Sequence, residues 1–125
     1  MLIPGTGNVN LKITTTSEEA RRFFNQGLGQ LHGYWFFEAE RSFRQVAALD
    51  PGCAMAYWGM AMANFKNEAR GKKFIDEAAL LRDKASEYEQ LWIDGLAAYF
   101  KDPKADVKKR LRDYVRSLEK IATTY

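Results

Sequence analysis

The feature that most constrains this chain is a spacing. From Gly27 to Ala61 is 34 residues, and from Ala61 to Gly95 is 34 again. The same step joins Phe23, Tyr57 and Leu91, then Phe24, Trp58 and Trp92, then Leu28, Met62 and Leu96, then Leu31, Phe65 and Tyr99. A fixed period of this length marks a chain built from copies of one supersecondary unit, each burying its apolar face only against its neighbours. The first copy, Ser17 to Pro51, has the pattern of two amphipathic helices joined by a short turn and closed by a proline.

That pattern predicts six helices in three hairpins. Thr16 or Ser17 caps the first, with Glu18 and Glu19 in its opening turn, where carboxylates favour the positive end of the helix dipole. It runs to about Gly33. A glycine inside a helix costs about 1 kcal/mol against alanine, so Gly27 and Gly29 each call for a packing reason, and Gly33 is expected to break the helix into the turn. The second helix, Phe36 to Leu49, buries Phe36, Ala39, Phe43, Val46 and Ala47, and Pro51, which has no amide donor, ends it. The third is expected from Cys53 to Asn67, followed by a turn over NEARGKK (67–73). A fourth helix then runs from Phe74 to Ser86, a fifth from Glu87 to Phe100 and a sixth from Lys104 to Thr123. The repeat domain thus covers 17–125, with units at 17–51, 52–86 and 87–125. Residues 1–16 hold Pro4, Gly5 and Gly7 and then an alternating Val9, Leu11 and Ile13, which predicts a short extended segment laid against the helices.

A helix-turn-helix unit with this period resembles the tetratricopeptide repeat (TPR). Phe23, Gly27, Ala39, Phe43 and Pro51 fall where that family places an aromatic, a small residue, an alanine, a second aromatic and a closing proline. Tyr57, Ala61, Leu91 and Gly95 continue the first two columns, whereas Lys73 and Glu77 replace the alanine and second aromatic of the second unit. FNQGL, AERSFRQVAALDP and CAMAYWGMAMA further resemble an uncharacterised bacterial subgroup of such proteins. The resemblance implies an all-α fold, three hairpins stacked as a right-handed α-solenoid, with these nine residues packing the repeats.

In such a stack the odd-numbered helices line the concave surface. On the first of them the apolar sector is about 140° wide at 100° per residue, more than the ~100° stripe that packing alone requires. The excess recurs in register as Phe24, Leu28, Trp58, Met62, Trp92 and Leu96, flanked by Arg21, His32 and Lys66. By resemblance these columns line a ligand groove. A row of aromatic and methionine side chains rimmed by cations suits a peptide, a helix or a partner subunit. The alternative is that the aromatics pack between successive hairpins or against the N-terminal segment. Asn25, Asn64 and Lys66 remain as polar inner-face residues, and they do not rebuild the Lys and two-Asn clamp by which some tetratricopeptide domains hold a C-terminal carboxylate.

Other classes are disfavoured. His32 is the one histidine and Cys53 the one cysteine, so neither a two-histidine metal site nor an internal disulfide is available. GLGQLHG lies within or at the end of a helix rather than between a strand and a helix, which argues against a phosphate cradle. No carboxylate pair has acid/base spacing, so no enzyme activity and no cofactor are expected. The last helix carries Lys104, Lys108, Arg112 and Arg116 along nearly one face, but a net charge of +3 and interruptions at Asp106, Asp113 and Glu119 weigh against nucleic acid. The same helix offers Val107, Leu111, Tyr114, Val115, Leu118 and Ile121, a face broad enough for self-association as a homodimer or for continuation of the array. No apolar run is long enough to span a membrane. The start lacks the basic and apolar regions of a signal peptide, which points to the cytoplasm by default and leaves export open.

Overall fold

The computed structural model describes residues 11–102 and 105–124, and over them the chain is all-helical, with no strand among the described residues. The helices are α1 (Glu18–His32), α2 (Phe36–Leu49), α3 (Ala54–Ala63), α4 (Glu68–Leu80), α5 (Glu87–Phe100) and α6 (Val107–Thr124), with a 3-10 turn at Arg82–Lys84. Each packs on the next in sequence, and α3 also touches α1 and α5. The arrangement is three packed helical hairpins with α3 at the centre. Its sequence, AMAYWGMAMA, is apolar all round, and eight of its ten residues are buried. A helix without a polar face belongs inside a core, and this one has four helical neighbours to supply it.

Local chemistry sets most boundaries where expected. The Ser17 side chain accepts from the Ala20 amide at 3.1 Å and opens α1. Asp50 ends α2 and its carboxylate accepts from the Gly52 amide at 3.2 Å. Ser86 and Glu89 form a capping box at the start of α5.

Four boundaries differ. The third helix stops at Ala63, with Asn64 as its C-cap, rather than running to Asn67. NEARGKK is not a turn: Asn67 accepts from the Arg70 amide at 3.4 Å and caps α4, which therefore starts well before Phe74 and ends at Leu80. Gly71, the expected centre of that turn, is helical, and it is small because the Phe100 ring packs on it. A Cβ there would lie 2.4 Å from Phe100 Cζ. The sixth helix begins at Val107, because Asp106 accepts from the Lys108 amide at 3.1 Å and acts as its cap. The expected first residue of that helix, Lys104, lies outside the described residues, as do Pro4, Gly5, Gly7 and Val9.

The first helix closes at Gly33 as expected, but Gly33 is not the residue that takes the left-handed conformation. Gly33 has an ordinary φ of −84°, and the left-handed position falls on Tyr34, at φ 63°. Tyr34 N–H donates to the Leu31 carbonyl at 3.1 Å and Trp35 N–H to the Gln30 carbonyl at 2.8 Å, the two bonds of a Schellman ending. That position ordinarily favours glycine, so Tyr34 is held there at a cost.

Gly27 and Gly59 share one reason for being small. The Phe43 ring of α2 lies against both, at 2.7 Å from a Cβ placed on Gly27 and 2.4 Å from one on Gly59, wedging α2 against α1 and α3 at once. Gly29 has nothing within 4 Å, so the packing reason expected for it is absent.

Candidate functional site

The Phe24, Trp58 and Trp92 columns do meet across the hairpins. Phe24 and Trp58 have ring centroids 6.4 Å apart, and Trp58 and Trp92 lie edge-to-face at 5.9 Å. Phe43 and Tyr88 extend the stack at its two ends. The row is core, however, and not an open groove. Phe24, Leu28, Trp58, Met62, Trp92 and Leu96 are all buried, Trp58 completely. Two things close the surface. The centre of the buried face of α1 lies nearer Phe24 than Phe23, which is only half-buried, because α1 packs against α2 and α3 together. Leu11 and Ile13 of the N-terminal segment also join the same core.

The rim residues divide. Arg21 is half-buried and turned to the N-terminal segment, its Nη2 donating to the Thr15 carbonyl at 2.9 Å. His32 and Lys66 are exposed near the opposite ends of their hairpins' first helices. Of the residues expected to pack the repeats, Gly27, Ala39, Phe43 and Ala61 are buried, Phe23, Tyr57, Leu91 and Gly95 are half-buried, and Pro51 is exposed. Pro51 only follows the C-cap of α2, so it punctuates the sequence without packing it.

Polar clamps hold successive hairpins. Glu40 of α2 accepts from Arg44 at 2.8 Å, from the Asn64 amide at 2.7 Å and from Arg70 of α4. Arg44 and Arg70 also lie over the Phe74 ring, at 5.6 and 5.1 Å. Burial alone would push the Glu40 carboxyl up, but the hydrogen bonds from Arg70, Asn64 and Arg44 outweigh it and hold the group at about 2. The unfolded chain takes up this proton near the ordinary glutamate value of about 4.3, so the clamp's contribution is full above that value and is lost as pH falls toward the folded one. Glu40→Gln is therefore expected to flatten the acid limb of a urea midpoint-versus-pH curve between pH ~4.5 and ~2. An unchanged slope in that window would remove Glu40 from acid unfolding. Between the second and third hairpins, Arg110 Nη1 donates to Glu68 at 2.8 Å and Nε to the Tyr99 carbonyl at 2.9 Å, with the guanidinium over the Tyr99 ring.

What remains open to solvent and apolar lies elsewhere. The turn between α1 and α2 exposes Tyr34 at 60% and Trp35 at 62%, and the first turn of α2 exposes Phe37 at 73%. Beside Phe36 a cleft of about 260 Å³ runs between Leu31 and the end of α3 with the turn that follows it, from Met62 to Asn67, with Lys66 among its lining residues. On α6, Val107, Leu111 and Val115 form a second exposed strip. The aromatic turn was missed at the sequence level. The available signal was Tyr34-Trp35-Phe36-Phe37 itself, four consecutive aromatics of which a helix buries at most the one or two on its inner face.

Cys53 is buried, and burial raises its thiol to about 11, so it stays protonated and unreactive in the folded protein. Among the described residues no group of three or more His, Cys, Asp or Glu side chains is placed to hold a metal, and no helix is long and apolar enough to cross a membrane. No protein-family model, curated protein or solved structure matches this chain.

Proposed function

We propose that the chain is a non-catalytic interaction scaffold, its hairpins stacked as a right-handed, tetratricopeptide-like α-solenoid that docks a peptide, a helix or a partner subunit. The stacking of each helix on its neighbours supports the solenoid reading. The docking surface in this reading is the aromatic turn and its cleft, and not the buried row. The observation that carries it is Tyr34: an aromatic residue kept in left-handed backbone where glycine costs least, exposed as Trp35 and Phe37 are, with its ring edge-to-face with Phe36 at 6.1 Å. Strain persists where the surroundings or a function hold it, and exposed aromatics are the residues that anchor partners.

Trp35 supplies the test. It is exposed while Trp58 and Trp92 are buried, so acrylamide should quench Trp35 selectively. An array of extended and helical peptides screened with the intact protein is expected to yield ligands that shield Trp35. Those ligands should lose about tenfold or more in affinity with Trp35→Ala or Phe37→Ser, while the far-UV spectrum stays unchanged. Ligands held equally by both variants would remove the turn from the docking surface.

The α6 strip favours self-association as a second reading. Val107, Leu111 and Val115 recur at four-residue spacing and stay 39–49% exposed. A light-scattering mass that doubles with concentration and reverts with Leu111→Glu would support it, and a monomer at every concentration would end it.

A further inference from the structure

The described part of the N-terminal segment is a bound peptide in all but connectivity. Over 11–16 it has no helix; Leu11 and Ile13 are buried while Lys12 and Thr14 are exposed, the alternation of an extended segment against a surface. Its backbone is held by side chains and not by a neighbouring strand. Arg21 donates to the Ile13 carbonyl at 3.3 Å and to the Thr15 carbonyl at 2.9 Å. Across the stack, Glu89 of α5 accepts the Thr14 amide at 2.8 Å and also the Thr14 hydroxyl. Asp50, at the close of the first hairpin, accepts the Thr15 hydroxyl at 2.7 Å. The seat thus takes residues from the first and third hairpins and presents one buried carboxylate, Glu89, 1% exposed.

We propose that this seat is a recognition site for an extended segment of a partner protein, apolar at alternate positions and followed by hydroxyl side chains, and that the protein's own residues 11–16 fill it as a built-in competitor. The chemistry of the occupant follows from the seat. Arg21 and Glu89 address backbone carbonyl and amide groups, which any extended peptide offers. The hydroxyls follow from the carboxylates: with the segment gone, Glu89 keeps its Ser86 amide at 2.8 Å but loses both Thr14 donors. A buried carboxylate left short of donors is costly, so a replacement must bring an N–H and a hydroxyl together. The resident segment can leave without unravelling a helix, because the first-turn amide of Ala20 is capped by the Ser17 side chain, and the segment's own share at this helix end is one Thr15 hydroxyl that accepts the Ser17 amide at 3.2 Å. The site lies at the N-terminal ends of α1 and α5, whereas the aromatic turn follows the C-terminus of α1, so either can fail without the other.

The test uses the full-length protein and a fluorescein-labelled peptide of sequence NLKITTTS, read by anisotropy. Weak binding is expected to the unaltered protein, and binding about tenfold tighter to Ile13→Asp, whose own segment no longer seats and no longer competes. Adding Arg21→Ala to that variant should abolish the gain. An Ile13→Asp protein that keeps its helical spectrum but binds the peptide no better overturns the proposal. Should that variant unfold, amide exchange on the unaltered protein decides: saturating unlabelled peptide should speed exchange at Thr14 at least about twofold while leaving α3 amides untouched, and an unchanged Thr14 overturns it. A concentration-dependent doubling of mass that Ile13→Asp removes would assign the seat to exchange between two copies of this protein, and would overturn the partner-protein reading.

Discussion

Trp58→Ala is expected to cost about 3–5 kcal/mol, the range for truncating a large aromatic in a core that cannot collapse around the gap. Trp58 is fully buried, with Phe24 of the first hairpin on one side and Trp92 of the third on the other. Removing it opens a void where all three hairpins meet. Against a total stability that for small domains is about 5–15 kcal/mol, the variant should be largely unfolded at 37 °C. Urea unfolding followed by far-UV circular dichroism gives the number. Trp58→Phe is the informative control. The indole Nε1 is buried without a hydrogen-bond partner, so phenylalanine forfeits volume and no hydrogen bond. It should cost well under half as much. A Trp58→Ala protein that keeps its stability and its helical signal would return the aromatic row to the surface.

Gly59→Ala should be the more damaging of the small-to-large changes, at about 1–3 kcal/mol or somewhat beyond. The added methyl would lie 2.4 Å from Phe43 Cδ1 and 2.5 Å from Cγ, the stiff root of the ring and not its far end. The ring has nowhere to retreat, because Gly27 of α1 is pressed against it from the other side. The clash is therefore specific to one partner, which makes it separable. Combining Gly59→Ala with Phe43→Leu should cost less than the sum of the two single changes. Strict additivity of the two in urea midpoints would show that the close approach is not what excludes a side chain from position 59.

The same two sites show how much of the fold was legible in the sequence. The ranges of α2 and α5 agree with those expected because their ends are marked by local chemistry, Asp50-Pro51 after one and the Ser86/Glu89 box before the other. Those signals act within a few residues. The start of α4 was misplaced because its first turns, NEARGKK, look like a loop by composition. Beyond the local Asn67 cap, what holds them helical is remote: Phe100 over Gly71, Glu40 on Arg70 and Arg110 on Glu68. The aromatic row was visible as a register, and its location stayed open between a groove and packing between the hairpins. Helical periodicity reports how wide an apolar face is, and says nothing of how many neighbours cover it. Here the cover came from α3's central position and from Leu11 and Ile13. Within the N-terminal segment's seat, the capping box at Ser86 and Glu89 had a sequence signature. Its second use, as the acceptor for Thr14, depends on a contact 75 residues away in sequence.

The all-apolar character of α3 bears on how the molecule comes apart. In a linear array whose units are individually stable, ends fray first and the middle survives, and segments melt in turn. A middle helix with no polar face has no tolerable solvated state of its own, so it survives only while both flanking hairpins cover it. Coupling between units then dominates over the stability of any unit. The three packed hairpins should therefore lose their structure in a single cooperative transition, with none of them severable as a folded fragment.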